Sequence, residues 1–569
     1  MKKEEKNLKS DSNPTLSLCM IVKNEEKFLP MCLDSVKDYV DEIIIVDTGS
    51  TDKTVEIAQS YNARVYHHPW ENSFSKARNY SLKYATGDWI LILDADEEID
   101  KEDVHRLKEV IKDPVGNNAH HRADLIFIPV YSKYNNGNNI SIANSERIFR
   151  NNLGICYEGV VHNTLKYSVP TKAENIKLHH HGYNQDNEQM EKKFARTSAL
   201  LQEQIENSPE NPVPHHNLAI SYLDRNMNDE CIEEALEAIR LFELQNSDSQ
   251  LRLLSHYSVS VAFYRKGELD SAEKYAIKLL SLYPDYLDAH CILSSIYFLR
   301  KEYDKCAEST NKYLELLESL NSDPSKALAI PCNTLQNAWL AHTRMAINYF
   351  EQNNETQGLL SLKSAKNSAD CAWKPYLSIG KHFAEHNCFK MAERFLCDGL
   401  KHDPGNREIQ YYLASTYERS ENIPEAIAAY SSILNIEPEN AEILLRLGSL
   451  YLQEHDNTRA KESFLALLKS GKYLLETHLG LSKIYLSTND PESCIGSCDE
   501  LLKLLNLPRN ITINSISELS KLYIDIGTTL LKQQKESLAG FSFDIAVLLD
   551  PDALKSIQTE AAESVTCNP

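Results

Sequence analysis

The chain has 569 residues, 42% of them hydrophobic and 25% charged, with a formal net charge of −22. That length is too great for one hydrophobic core, so two or more domains are expected. The acidity excludes the basic footprint of a nucleic-acid binder, disfavours adhesion to anionic membranes, and means that a bound phosphate would need a local cation. The opening stretch MKKEEKNLKSDSNP is polar and lacks an apolar core, so residues 1–15 are expected to be a disordered tail rather than a signal peptide. No run approaches the roughly 20 apolar residues of a membrane-spanning helix. The 13 cysteines contain no CxxC pair. Reduced, buried thiols and a cytoplasmic location are expected.

Strands and helices then alternate. LSLCMIV (16–22) reads as a buried strand, and EKFLPMCLDSVKDY as a helix with Pro30 near its start. DEIIIVD (41–47) is a second strand. TGSTDKTVEIAQSY is a turn and helix, with Ser50 or Thr51 as the cap. ARVYHHP, then FSKARNYSLKYAT closed by Gly87, then WILILDAD continue the alternation. Glu97, Glu98 and Asp100 read as the acidic opening of a helix over EDVHRLKEVI. Near-continuous apolar strands between helices predict a mostly parallel α/β sheet covered on both faces. Ligands of such sheets bind beyond the carboxyl ends of the strands. Here those ends are VKNE, VDTGSTD and LDAD. From about residue 120, DLIFIPVYSKY, NSERIFR, GVVHNTL and NIKLHHHGY suggest mixed sheet and loop completing the site.

After about residue 187 the strands stop and a repeat begins. Phe383, Tyr417, Tyr451 and Tyr485 are 34 residues apart, as are Ala392, Ala426, Ala460 and Cys494. Gly380, Ala414, Gly448 and Ser482 supply a small residue before each aromatic, and Pro404 and Pro438 keep the interval. This is the tetratricopeptide pattern. It predicts an all-α repeat domain over 191–569, interrupted near 321–338, behind an α/β domain over 16–190. Repeats of this kind present surfaces for peptide or protein. A spacer or a homodimer surface is the alternative.

Asp94 and Asp96 carry the strongest chemical signal. Positions i and i+2 of extended backbone face one side, so both carboxylates are predicted to face one cation. Hard oxygen ligands suit Mg²⁺ or Mn²⁺ together with substrate phosphate. Asp47 ends the second strand and is placed to accept hydrogen bonds from a nucleobase or ribose. Capping the following turn is its alternative role, although Asp52 is the better candidate for that. Arg78 offers positive charge for a diphosphate; a surface charge is the plainer reading.

In order, LSLCMIVKNEEKFLPMCLDSV, DEIIIVDTGSTDKTVEIA, FSKARNYSLKYATGDWILILDADE, SERIFRN, YEGVVHNTL and LHHHGY resemble a family 2 glycosyltransferase of the GT-A fold (Rossmann-like). They resemble in particular its branch with tetratricopeptide repeats, which includes the sublancin-type peptide S-glycosyltransferases. The resemblance implies that Val22, Asn24 and Glu25 contact the nucleotide and that Asp47 holds uracil or ribose. It makes Arg78 the arginine of the ARN motif. Asp94 and Asp96 become the D-x-D pair that binds metal and diphosphate, and His180 a third metal ligand, with His179 and His181 in adjacent register. It implies inversion at the anomeric carbon by direct displacement. Glu158 and His162 are the candidates for taking the acceptor proton. Many relatives read His-Glu where this chain has His162–Asn163. Arg147 is a phosphate or acceptor contact, or a partner of Glu146.

The expected enzyme moves a sugar from a nucleotide donor, UDP-glucose or UDP-N-acetylglucosamine, with Mn²⁺ or Mg²⁺. The acceptor is a peptide or protein on the repeats, through Ser/Thr oxygen or Cys sulfur; flagellin or a secreted peptide are examples by analogy. Transfer to a cell-envelope saccharide, and an inactive repeat scaffold, are the competing readings.

Overall fold

The computed structural model describes residues 13–112, 123–134, 139–159, 164–181, 187–247, 249–326, 331–508 and 515–553. Most of the expected tail, and the pair His162–Asn163, lie outside them.

The chain divides into two compact units, residues 1–368 and 369–569. The first opens with β1 (Leu16–Val22), α1 (Leu29–Val36), β2 (Glu42–Asp47), α2 (Thr54–Ser60), β3 (Arg64–His67), α3 (Phe74–Leu82) and β4 (Trp89–Ile92). There follow β5 (Glu97–Ile99), α4 (Arg106–Lys112), β6 (Leu125–Tyr134), β7 (Asn139–Arg150), β8 (Cys156–Glu158), β9 (Thr164–Lys166), β10 (Thr171–Ala173) and β11 (Leu178–His180). The main sheet runs β3-β2-β1-β4-β7-β6-β11-β5, with β10 beside β6. Strands β3, β2, β1 and β4 are parallel. β7 then pairs antiparallel with both β4 and β6, so the sheet is mixed beyond β4.

Both faces of the parallel part are covered. Leu16, Leu18, Met20, Ile43 and Ile45 pack on one side with Leu29, Leu33 and Leu107. Cys19, Ile44, Ile90, Ile92 and Phe149 pack on the other with Tyr157. Burial on both sides explains why these strands read as unbroken apolar runs. Gly87 does not close α3, which ends at Leu82. A Cβ at Gly87 would lie 2.6 Å from the Ser17 hydroxyl, so the glycine permits close approach to β1.

The same unit continues into helices. These are α5 (Asn187–Asn207), α6 (Pro212–Asp224), α7 (Asn228–Leu244), α8 (Gln250–Arg265), α9 (Leu269–Leu282), α10 (Leu287–Leu299) and α11 (Tyr303–Ser322), then two short 3₁₀ turns, Pro324–Lys326 and Leu335–Asn337, then α12 (Ala338–Glu351) and α13 (Glu355–Ser368). The segment between α11 and α12 meets the sheet. Ile142 of β7 and Cys332 exchange backbone hydrogen bonds of 3.0 and 2.8 Å. The Asn144 amide donates to Ser325 O at 2.9 Å. Ile142 and Tyr131 pack with Leu254, Tyr286, Leu287 and Cys332.

The second unit is built of helix pairs, among them α14 (Lys374–Glu385) with α15 (Phe389–His402), α16 (Arg407–Arg419) with α17 (Ile423–Ile436), and α18 (Ala441–Gln453) with α19 (Asn457–Lys469). α20 (Leu474–Ser487) follows. The 34-residue interval is a packing interval. Ala392, Ala426, Ala460 and Cys494 are wholly buried. A Cβ at Gly380 would lie 2.6 Å from Leu396, and one at Gly448 2.9 Å from the Phe464 ring. Small residues are required where paired helices approach this closely.

Candidate active site

Parallel pairing brings the strand ends together. Val22 of β1 sits beside Asp47 of β2, and Cys19 beside Ile92 of β4. The loops after β1 and β2 interlock. The Asn24 backbone N–H donates to the Ser50 hydroxyl at 2.9 Å, and its side-chain oxygen accepts from Thr51 N at 2.7 Å. Asn24 holds a left-handed backbone, φ 57°, as asparagine tolerates. Ser50 and Thr51 therefore join the two loops and do not cap α2. Asp52 closes the turn before the helix, accepting from Thr54 N at 3.0 Å, and the N-cap residue itself, Lys53, makes no side-chain cap bond. The Val22 side chain lies in the core, and its carbonyl accepts from Thr48 N at 3.0 Å.

Asp47 is buried. Its carboxylate accepts from Ser50 N at 3.0 Å and Gly49 N at 3.2 Å, and meets His67 Nδ1 at 3.3 Å. Burial alone would raise its pKa, but the bonds from Ser50, His67 and Gly49 outweigh it and hold it below the ordinary value. Turn capping, the alternative role of Asp47, is thus present in the structure beside that of Asp52.

β4 ends at Ile92, and residues 94–97 form a turn in which Glu97 N donates to Asp94 O at 3.0 Å. The extended geometry expected for Asp94 and Asp96 is absent, because the chain reverses here. The two carboxylates have separate partners. Arg78, on α3, donates to Asp94 Oδ1 at 2.6 Å and lies 5.3 Å over the Tyr157 ring. Arg78 is therefore not a surface charge. Despite burial, the charges of Arg78 and Arg147 keep Asp94 below its ordinary pKa. Asp96 Oδ2 meets His180 Nε2 at 3.2 Å, and His180 Nδ1 meets the Ser132 hydroxyl at 3.3 Å. Burial would lower the His180 pKa, but the Asp96 contact outweighs it and raises it.

Glu97 is not the opening of a helix. With Ile99 it points inward from β5, 2% exposed, and Arg147 donates to it at 2.6 Å. Its second oxygen accepts from Asp94 N at 2.8 Å. Arg147 thus pairs with Glu97 rather than with Glu146. Antiparallel pairing of β11 with β5 carries the other two histidines to acids: His179 Nε2 meets Asp100 at 2.9 Å and His181 Nε2 meets Glu98 at 3.4 Å. Glu25 faces the same mouth. Burial first, then the charges of Asp96, Asp94 and Asp52, push its carboxyl up to about 7.

Glu158 lies on the opposite side of β8 from buried Tyr157 and pairs with Lys166 at 2.7 Å. The structure does not bring it to Asp94. His162 is outside the described residues. Among the described residues, no group of three His, Cys, Asp or Glu side chains is arranged to hold a metal ion. The donors beside Asp96 are one carboxylate and one imidazole. That set suits Mn²⁺ when substrate oxygens complete the shell. The Nε–H groups of Arg78 and Arg147 are buried with no acceptor in the protein, as an anionic ligand at Asp94 would require.

Both parts of the chain are similar to known proteins. Residues 17–162 match the model described as glycosyl transferase family 2, and residues 411–474 match a tetratricopeptide repeat model. A TPR repeat-containing protein of Synechococcus elongatus is 30% identical over 45% of this chain and 64% of its own length. The SPbeta prophage-derived glycosyltransferase SunS of Bacillus subtilis is 33% identical over 36% of this chain and 48% of its own. An uncharacterized glycosyltransferase of Rickettsia bellii is 42% identical over 15% of this chain and 29% of its own. The chain thus spans less than two thirds of the length of these curated relatives. It carries a family 2 glycosyltransferase domain followed by tetratricopeptide repeats. No helix of the described residues is long and apolar enough to cross a membrane.

Proposed function

We propose that the chain is an inverting, metal-dependent glycosyltransferase that moves a hexose or N-acetylhexosamine from a UDP-sugar to a peptide or protein held by the repeats. The observation that carries this reading is the convergence of Asp94 and Asp96 with Arg78 and His180 at the carboxyl ends of parallel strands. Asp47, with Val22, Asn24 and Glu25 beside it, is assigned the nucleoside. Arg78 is assigned the diphosphate: its Nε–H needs an acceptor, and its charge offsets that of the leaving group. Asp96 and His180 would hold Mn²⁺ or Mg²⁺, with Asp94 steadied by Arg78. A bound divalent ion would neutralise the departing nucleoside diphosphate.

The acceptor must lose a proton as it attacks. Glu158 and His162 are the residues proposed for that step, and a comparison of Glu158→Gln with His162→Ala in acceptor turnover separates them. The relative SunS is named a glycosyltransferase and the Synechococcus relative a repeat protein, which supports joining the two activities in one chain. The decisive experiment is thermal unfolding with UDP and Mn²⁺. The melting temperature should rise, and Asp96→Ala should abolish the rise. No shift with any nucleoside diphosphate would overturn the proposal.

A further inference from the structure

Helix α3 carries Arg78, to which the diphosphate is assigned, and beside it Asn79. Asn79 faces a short ribbon. Strands β8 and β9 form a two-stranded sheet of their own, apart from the main sheet. A ribbon of two strands is marginal alone, so its place depends on what else holds it.

Asn79 holds it. Its side-chain oxygen accepts from Tyr157 N at 2.7 Å, and its amide donates to Tyr157 O at 2.8 Å. One side chain thus binds both backbone groups of one residue. In an antiparallel ribbon alternate residues turn their backbone groups away from the partner strand, and Asn79 supplies what Tyr157 would otherwise lack. Ser75 lies four residues earlier, on the same face of α3, and donates its hydroxyl to Gly159 O. The helix therefore grips one edge of β8.

This grip sets the Tyr157 ring. The ring is buried with Cys19, Ile90 and Phe149, and the Arg78 guanidinium lies over it at 5.3 Å. Asp94 Oδ1 takes one donor of Arg78. Asp94 alone would hold one end of the guanidinium and leave it free to turn. An aromatic face attracts the cation without consuming its N–H groups. With the ring beneath, the plane of Arg78 is fixed, and its buried Nε–H, which has no acceptor in the protein, keeps its aim. A donor fixed in advance needs no reorganisation when charge arrives.

We propose that Tyr157 and Asn79 are positioning residues for the diphosphate: Asn79 anchors the β8 backbone, and the Tyr157 ring holds the Arg78 guanidinium toward the phosphate oxygens. This rests on reading Arg78 as the diphosphate contact of a UDP-sugar transferase. It adds two residues, outside the D-x-D turn, on which that contact depends.

The test is calorimetric titration of the full-length protein, with Mn²⁺ present, by UDP and by uridine, which lacks both phosphates. Tyr157→Leu should weaken UDP about tenfold, within the worth of a desolvated contact between a cation and a ring, and leave uridine within about twofold. Tyr157→Phe keeps the ring and should bind UDP within about twofold of the unaltered protein. Asn79→Ala should reproduce the selective loss with the ring still in the chain, and it replaces Tyr157→Leu if that variant unfolds. Equal loss of UDP and uridine, or as large a loss in Tyr157→Phe as in Tyr157→Leu, would reduce these residues to packing and overturn the proposal. Unchanged UDP affinity in folded Tyr157→Leu or Asn79→Ala overturns it too, and leaves the transferase reading standing. An unaltered protein that does not bind UDP sinks the transferase reading, and this inference with it.

Discussion

Arg147→Met removes one partner of a buried ion pair and leaves the other in place. Arg147 and Glu97 side chains are 13% and 2% exposed, so the small worth of surface pairs does not apply. Two charges about 4 Å apart attract by ~4 kcal/mol at an effective dielectric near 20. Leaving one such charge buried and unpaired costs about 3–5 kcal/mol. Methionine keeps most of the side-chain volume, so the cavity contribution is small. The reverse change, Glu97→Gln, is expected to cost less. Arg147 also feels the charge of Asp94 and retains it as a partner. The amide oxygen introduced by Glu97→Gln remains able to accept from Asp94 N.

The sign of the pH dependence is fixed as well. Burial already raises the Glu97 pKa, with Arg147 opposing. Without Arg147 it rises further, while the unfolded value stays at about 4.3. A group whose folded pKa is raised gives stability at low pH and loses it as pH rises. The cost of Arg147→Met should therefore grow from about pH 4.3 upward and be largest near neutrality. Urea unfolding at several pH values, read by fluorescence, measures it. A cost below about 1 kcal/mol at pH 7, or a cost no larger than that of Glu97→Gln, would refute the view that this pair holds the turn beneath Asp94.

Three further outcomes are expected. In Gly480→Ala the new Cβ would lie 2.5 Å from the Phe464 ring. The variant should lose about 1–3 kcal/mol in thermal unfolding, and Phe464→Leu in the same chain should restore part of it. Burial first, then the charges of Lys278 and Arg252, lower the His256 pKa to about 4. The unfolded imidazole takes its proton near 6.5, so stability present above that pH falls by about 3 kcal/mol as pH drops toward 4. His256→Leu should flatten that acid limb in denaturant melts. A fragment ending at residue 368 should unfold cooperatively, because the first compact unit closes there. One ending at residue 190 bares Ile142 and Tyr131 and should aggregate, which light scattering detects.

The parallel strands were legible because their signal is local. LSLCMIV, EIIIVD and WILI are apolar runs buried on both faces, and β1, β2 and β4 occupy them. The 34-residue interval was legible because each repeat packs on the next by the same small and aromatic residues. The role of Glu97 was not. An acid after an acid resembles a helix opening, and its partner Arg147 stands on a strand 50 residues away. The alternation of buried Glu97 and Ile99 about Glu98 is the one trace of a strand there. The three histidines were equally opaque, since antiparallel pairing across β5 gives each its own acid. Asp288 looked like any helix residue until the fold laid Asn333 and Thr334 over it.

These pairings also explain why the acids after β4 are not interchangeable. Glu97 lies deepest and has Arg147; Asp94 lies above it and has Arg78. A guanidinium does not lose its proton in a protein, so both pairs are fixed charge with fixed direction. Of Asp94, Asp96 and Glu97, it is Asp96 that has an imidazole as its partner. An imidazole can give up its proton, and its nitrogen then becomes a ligand rather than a competitor. A cation arriving at this mouth would meet Asp94 already neutralised and Asp96 held by a group able to change sides. The arginines would keep the turn in place whether or not a cation is bound, and the exchangeable position falls to Asp96 and His180. Neighbouring acids three residues apart in sequence thus carry different tasks, set by which cation each one faces.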